Sequence, residues 1–324
     1  MTEILQTPKL VVVFGGSGFV GRYVVRALAT RGYLIRVACR RPALAGHLQP
    51  LGNVGQIQAV QANLRFRKSI DRAVIGADHV INLVGILSEG GRQKFGSVHE
   101  FGARAVAEAA RAVGARLTHV SALGADMQSP SAYARTKARG EKAVLETVPE
   151  ATIFRPSIIF GPEDSFFNRF AGMSRYAPAL PLIGGGETKF QPVYVGDVAE
   201  VVARSVDGAV AGGRVYELGG PVVASFRQCL EEMLAVIQRK RLLLPLPWWV
   251  SKLAATFLGL LPKPLLTTDQ VAQLRSDNVV SKEAEAEGRT LAGLGVEAQS
   301  MATILPSYLW RFRAAGQFQR RQTA

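Results

Sequence analysis

Acidic residues are absent from a long stretch near the start of this sequence. None occurs between Glu3 and Asp71, while Arg22, Arg26, Arg31, Arg36, Arg40 and Arg41 all fall in that span. Cysteine is almost absent too: Cys39 and Cys229 stand far apart with no CxxC, which argues against a disulfide framework or a zinc site and favours a reducing compartment. The histidines, His47, His79, His99 and His119, lack metal-ligand spacing, so no metal is expected. No run of ~18 uninterrupted apolar residues occurs, which speaks against a transmembrane helix. Internal repeats and low-complexity tracts are also missing. The first apolar run begins about ten residues from Met1, leaving no room for a signal or transit peptide if Met1 is the start. The expected location is then the cytosol or the cytosolic face of a membrane, and a bacterial source fits.

What is present is the composition of a globular protein: 324 residues, 48% hydrophobic and 20% charged, with a net charge of +14. Such an excess favours anionic partners: a phosphorylated cofactor, an anionic membrane surface, an acidic protein or nucleic acid. The basic residues are dispersed and accompany no nucleic-acid motif, so nucleic acid ranks last.

The first 160 or so residues alternate short β-branched runs with helical patterns, the mark of a parallel sheet. Strands are expected at Lys9–Phe14, Tyr33–Cys39, Gln56–Val60, Asp78–Val84, Leu117–Ser121 and Ala151–Ile159, each nearly continuously apolar. Helices are expected at Phe19–Thr30, Gly96–Val113 and Ser131–Glu146. Gln191–Val206 reads as strand then helix, Arg214–Leu218 as a last strand, and the chain from Ser225 onward as mainly helical. The fold class is α/β, a Rossmann-type doubly wound parallel sheet with a smaller, mainly helical C-terminal lobe. Residues 1–220 are assigned to the Rossmann domain, with 162–190 as a loop-rich insertion, and 221–324 to the lobe.

Gly15-Gly16-Ser17-Gly18-Phe19-Val20-Gly21 follows the first strand and opens a helix. Glycines there allow a tight turn, close approach of backbone to a pyrophosphate and close helix–strand packing. The helix start offers free N–H groups and a positive dipole end to phosphate. A Gly-rich structural turn is the alternative. Where NAD sites usually carry an acidic residue, at the end of the second strand, this chain reads Cys39-Arg40-Arg41. A guanidinium can clamp a 2′-phosphate, so NADP(H) is favoured over NAD, with Arg40 or Arg41 on the phosphate. A solvated basic face is the competing reading.

Tyr133 and Lys137 lie four apart in an expected helix, which puts both on one face. An ammonium beside a phenol favours phenolate and suits acid/base work at a carbonyl. The spacing is common by itself and gains weight from the turn before it.

Those motifs, with NLVG ending the fourth strand, HVS ending the fifth and Phe154-Arg155-Pro156-Ser157-Ile158-Ile159-Phe160-Gly161-Pro162, resemble the short-chain dehydrogenase/reductase superfamily in its atypical, epimerase/dehydratase-like branch. The resemblance spans about the first 220 residues. It implies Tyr133 as general acid/base, Lys137 on the nicotinamide ribose, and Asn63, Leu64, Val84, Gly85, Ser121, Pro156 and Ser157 among the cofactor contacts. The fifth strand ends Val120-Ser121-Ala122-Leu123, without the second Ser or Thr of active members. Ser121 is therefore assigned to the cofactor side as well as to the catalytic set. A missing oxyanion-type donor would cost on the order of 10²–10³ in rate.

A narrower resemblance runs through HVSALGADMQSPSAYARTKARGEKAV, IFRPSIIFGPEDSFFNRFA, QPVYVGDVAEVV, LLLPLPWWVSKLAATF and LLTTDQVAQLRSDNVVS. It is similar to the NADPH-binding accessory subunits of respiratory complex I (NADH:ubiquinone oxidoreductase) and their bacterial relatives. This implies other complex I subunits as partners and a peripheral site near the quinone-reduction region. It implies the cytoplasmic face of a bacterial inner membrane, or the matrix side of the inner membrane in a mitochondrion, with NADPH held without known turnover and mainly structural. The Pro-bounded stretch within 242–266 holds some 14 residues between Pro247 and Pro262, about 21 Å of helix against a hydrocarbon core of ~30 Å. With Lys252 inside it and Arg239, Lys240, Arg241 and Lys263 around it, it suits a membrane interface or a partner. A core helix of the lobe is the plainer alternative. The basic tail, with Arg311, Arg313, Arg320 and Arg321, adds either electrostatic contact or mere solubility.

Overall fold

The computed structural model describes residues 8–259 and 266–314; Lys263, Arg320 and Arg321 lie outside the described residues. By compactness the chain forms two units, residues 1–155 with 198–216, and residues 156–197 with 217–324. The boundary thus does not fall at one point of the chain: residues 198–216 return to the first unit.

The first unit opens with β1 (Leu10–Phe14), α1 (Phe19–Thr30), β2 (Leu34–Cys39), β3 (Ile57–Gln61) and α2 (Arg67–Val74). It continues with β4 (His79–Asn82), α3 (Phe101–Ala112), β5 (Arg116–Val120), α4 (Ala132–Thr147) and β6 (Thr152–Pro156). Each expected element from β1 to β6 is found within a few residues of its expected place. The continuous apolar runs have the cause expected of them: Val11, Val12 and Val13 are fully buried, because β1 pairs in parallel with β2 on one side and β4 on the other.

The expected helix over Gly96–Val113 is found in two pieces. Gly96–Glu100 forms a π-turn and α3 follows it. Alanines at 103, 105, 107, 109 and 110 let α3 lie close on the sheet, with Val80, Leu117 and Ile153 in the same core.

The remaining elements are β7 (Ile159–Phe160), α5 (Phe167–Met173), β8 (Ala179–Ile183), β9 (Lys189–Phe190), β10 (Val193–Tyr194), α6 (Val195–Asp207) and β11 (Val215–Leu218). They end with β12 (Ala224–Ser225), α7 (Phe226–Ile237), β13 (Leu242–Leu246), α8 (Trp248–Leu258), α9 (Thr268–Gln273), α10 (Lys282–Ala286) and α11 (Met301–Leu309). The large sheet has the order β11-β6-β5-β4-β1-β2-β3. Strand order reverses between β1 and β4, and in open α/β sheets ligands bind beyond the carboxyl ends of the strands at such a point.

The second unit has its own core, built around Phe160, Phe167, Phe226, Met233, Leu305 and Leu309. Tyr308 donates to the Asp164 carboxylate at 2.6 Å, which fixes α11 to the loop before α5. Among the described residues the stretch after Ser225 is mainly helical, as expected, but Leu242–Leu246 within it is a strand paired in parallel with β8. Pro245 and Pro247 forbid a helix across this run, and a proline is tolerated in an edge strand. Helix α8 then starts directly after Pro247.

Candidate functional site

The glycine turn has the shape its spacing predicts. Gly15 has φ +83°, which a side chain at that position would resist. A Cβ on Gly21 would lie 2.3 Å from the Gly15 carbonyl oxygen, so only glycine lets α1 pack this close to the end of β1. The Gly18 N–H donates to the Gly15 carbonyl at 3.0 Å, and α1 begins at Phe19 with Gly18 before it. Among the described residues no side chain caps this helix start, and its first turn carries no acidic residue. Its end therefore keeps the positive potential that a pyrophosphate needs.

Around the carboxyl ends of β4 and β5 lies a buried polar cluster. Lys137 on α4 is 4% exposed and donates from Nζ to the Val120 carbonyl at 3.0 Å. Burial pushes its pKa down to about 8, opposed by the nearby Glu141 carboxylate. Gly85 lies beside both groups: a Cβ there would stand at ordinary contact distance, 3.8 Å from Lys137 Nζ and 3.9 Å from His99 Nε2. Tyr133, one turn before Lys137, is half-buried with its ring edge-on to His99 and to Phe95. Ser131 caps the helix that carries both by accepting from the Ala134 N–H.

Ser121 is 5% exposed, and its Oγ has no hydrogen-bond partner among the described residues. A buried hydroxyl without a partner costs about 1–3 kcal/mol, a cost a bound polar ligand would remove. Next to it in the sheet, the Asn82 amide bonds to His119 Nδ1 at 3.2 Å, while its Oδ1 accepts from the Val84 N–H. This amide thus fixes the backbone as it leaves β4.

The other expected site residues are placed as follows. Arg40 and Arg41 stand exposed directly after β2, with Cys39 buried before them. Burial raises the Cys39 pKa, although the Arg41 backbone and Ser17 hydroxyl both bond to the thiol. The end of β2 and the glycine turn are therefore in contact. Leu64 is buried, and Asn63 Oδ1 accepts from the Arg65 N–H after β3. Pro156 and Ser157 fall in the second unit. There the Ser157 hydroxyl is 2.7 Å from Asn278 Oδ1 and 3.0 Å from the Asn278 carbonyl, so it is already engaged.

The residues that sequence reasoning missed are Asn82, His99, His119 and Thr136. Each is a single polar residue in an apolar or helical run, and nothing in the local pattern separates it from a satisfied core residue. Only Asn82 carried a signal, as the first letter of NLVG.

In the second unit, α8 turns Trp248, Ser251 and Ala255 inward; Ser251 and Ala255 are almost fully buried, and a Cβ on Gly184 would meet the Trp248 ring at 2.2 Å. The opposite face carries Trp249, Leu253 and Phe257 at a spacing of four, exposed by 71%, 53% and 66%. Lys252 is exposed beside them, and no acidic residue occurs between Glu232 and Asp269. Among the described residues, no helix is long and apolar enough to cross a membrane.

The model of the NAD dependent epimerase/dehydratase family matches residues 11–219. The chain belongs to that family. Its turn, its orphaned Ser121 hydroxyl and its buried Lys137 fit the nicotinamide dinucleotide that the family's description implies. Similarity extends beyond the family segment. The chain is 38% identical over 285 residues to the mitochondrial NADH dehydrogenase (ubiquinone) 1 alpha subcomplex subunit 9 of Arabidopsis thaliana, covering 84% of this chain and 71% of that protein. The Mus musculus protein of the same name is 35% identical over 289 residues, covering 88% and 75%. An NADPH-dependent quinone oxidoreductase of Escherichia coli, solved with NADPH, has a TM-score of 0.70 over 90% of this chain and 97% of its own at 20% identity, a likeness of fold.

Proposed function

We propose that this member of the epimerase/dehydratase family is an NADP(H)-holding accessory subunit of respiratory complex I, its cofactor mainly structural, stabilising the junction near the quinone site. The observation that carries the reading is that identity of 35–38% to complex I subunits extends over 84–88% of the chain, well past residue 219. A shared dinucleotide fold alone would not carry similarity into the C-terminal lobe.

When bound, NADP(H) supplies a polyanionic pyrophosphate and 2′-phosphate together with a nicotinamide able to carry hydride. The Gly15–Gly21 turn would take the pyrophosphate, Arg40 or Arg41 the 2′-phosphate, and Ser121, Tyr133 and Lys137 the nicotinamide end. A retained ligand stabilises the folded state by RT ln(1 + [L]/Kd), about 4 kcal/mol at a thousandfold excess over Kd. The Trp249/Leu253/Phe257 stripe with Lys252 suits the interface of an anionic membrane, apolar rings at the acyl boundary and the ammonium at the headgroups. The chain would then sit peripherally, on the cytoplasmic face of a bacterial inner membrane or the matrix side of a mitochondrial one. Purification of the native membrane complex tests the reading: the chain should accompany complex I and carry NADPH. Recovery only as a free species, never with the complex, overturns it.

A second reading is favoured by one observation, the pairing of Tyr133 with a buried Lys137 whose pKa lies near 8. It makes the chain an NADP-dependent reductase, epimerase or dehydratase acting on a small carbonyl or sugar-nucleotide substrate. NADPH turnover that disappears in Tyr133→Phe would establish it, whereas the accessory-subunit reading expects Tyr133→Phe to leave assembly intact.

A further inference from the structure

His99 is 2% exposed and lies in the π-turn before α3, yet it reaches two other parts of the first unit. Its Nε2 accepts from the Ile86 N–H at 3.1 Å. Its Nδ1 faces Thr136 Oγ1 at 3.1 Å, and the Thr136 hydroxyl is itself directed at the Ala132 and Tyr133 carbonyls. These partners define the tautomer. A nitrogen that accepts from a backbone N–H carries no proton, so the proton is on Nδ1, which donates to Thr136 Oγ1. Burial and the Lys137 ammonium both push the imidazole pKa down, to about 3, and keep the ring neutral.

The ring itself is a platform. Phe95 stacks on it at 5.4 Å between centroids, and Tyr133 meets it edge-on at 5.3 Å. The main chain at His99 is also in close register with α4, since a Cβ on Gly140 would lie 2.1 Å from the His99 carbonyl oxygen. One neutral imidazole therefore joins the backbone leaving β4, at Gly85–Ile86, to the helix that carries Tyr133 and Lys137. On the dinucleotide reading above, both flank the nicotinamide end of the ligand.

We propose that His99 is a positioning residue for the nicotinamide half of the cofactor. It sets the Gly85–Ile86 backbone against the Tyr133 ring and Lys137 ammonium, without touching the ligand. The proposal rests on the dinucleotide reading above and adds a division of labour to it. The glycine turn and the arginines after β2 hold the adenosine and phosphate half, and His99 acts on the other half alone.

Two ligands separate these roles: NADPH, and adenosine 2′,5′-bisphosphate, which lacks the nicotinamide. His99→Leu leaves the part-buried Ile86 N–H without its acceptor and is expected to weaken NADPH by about tenfold while adenosine 2′,5′-bisphosphate binds as before. His99→Gln, whose Oε1 can accept from Ile86, should recover most of the loss. Thr136→Val keeps the ring but removes the acceptor of the Nδ1 proton, and should weaken NADPH by roughly threefold with the same selectivity. It serves as the measurement should the leucine variant fail to fold. Equal weakening of both ligands would make His99 merely structural and overturn the proposal, as would an unchanged NADPH affinity in these variants. A wild-type chain that binds neither ligand would overturn the dinucleotide reading and this proposal with it.

Discussion

Around Lys137 the first unit encloses an ammonium, the imidazoles of His99 and His119 and the Ser121 hydroxyl, whereas α8 of the second unit leaves Trp249, Leu253 and Phe257 in solvent. The two regions depart from ordinary burial in opposite directions. Enclosing an ammonium costs free energy that its bond to the Val120 carbonyl and the nearby Glu141 carboxylate return only in part. Leaving large side chains exposed forgoes about 1.5–3 kcal/mol for each. Neither arrangement is explained by stability of the isolated chain. On the function proposed above, a polar ligand would complete the first and an apolar environment would cover the second. Scattered exposed apolar residues need no such account, but three on one helix face beside a stretch free of acidic residues do.

The contrast can be broken most forcefully at the glycine turn. Gly21→Ala would place a methyl 2.3 Å from the Gly15 carbonyl oxygen. The turn must open, and NADPH affinity, read by fluorescence titration, should fall by more than about 100-fold. Vesicle binding through α8 should persist. At the other region, replacing Trp249, Leu253 and Phe257 together by serine should reduce partition onto anionic vesicles on the order of 10²-fold. NADPH affinity and Tm should hold, because these side chains contribute nothing to the core. A fall in Tm like that of a core substitution would show that the stripe is packed after all.

Acid sharpens the buried side. Burial holds His79, His99 and His119 neutral, each with its pKa lowered to about 3. The unfolded chain binds protons at these sites near pH 6.5 and the folded chain does not. Stability is therefore full above that pH and falls as pH drops toward 3. At pH 5 each imidazole should cost about 2 kcal/mol, and His79→Gln should reduce the pH slope of unfolding by about one proton. Lys137 acts at the other end of the scale. Its folded pKa near 8 lies below its ordinary 10.5, so the cofactor-free protein should gain stability as pH rises between those values. The smallest effect is at the end of β2, where Arg40→Ala or Arg41→Ala should weaken NADPH by about tenfold and leave NADH unchanged.

Much of the fold was legible in the sequence because buried parallel strands write themselves as apolar runs. Leu10–Phe14 and Leu34–Cys39 could be read to within a residue. The Gly15, Gly18 and Gly21 spacing was legible because the backbone at Gly15 and the packing at Gly21 demand glycine. The π-turn at Gly96–Glu100 was not, since its residues are compatible with an ordinary helix. The strand at Leu242–Leu246 was hidden because its partner, Ala179–Ile183, lies some 60 positions earlier in the chain.

The site divides the same way. Tyr133 and Lys137 announce themselves by a local spacing. His99 does not, because Ile86 and Thr136 are 13 and 37 residues from it. Its role depends on which nitrogen faces which partner, and that is a property of the packed state.

By itself, the sequence determined the sheet, the phosphate turn and the basic character after β2, because these rest on local patterns of apolarity, glycine and charge. Tertiary structure alone decided that residues 156–197 group with the second unit and that Lys137 is buried against Val120. It also decided that His99 carries its proton on Nδ1 and that α8 turns Trp248 inward and Trp249 outward. Burial, tautomer and the exposed face of a helix depend on neighbours distant in the chain, and no window of sequence contains them.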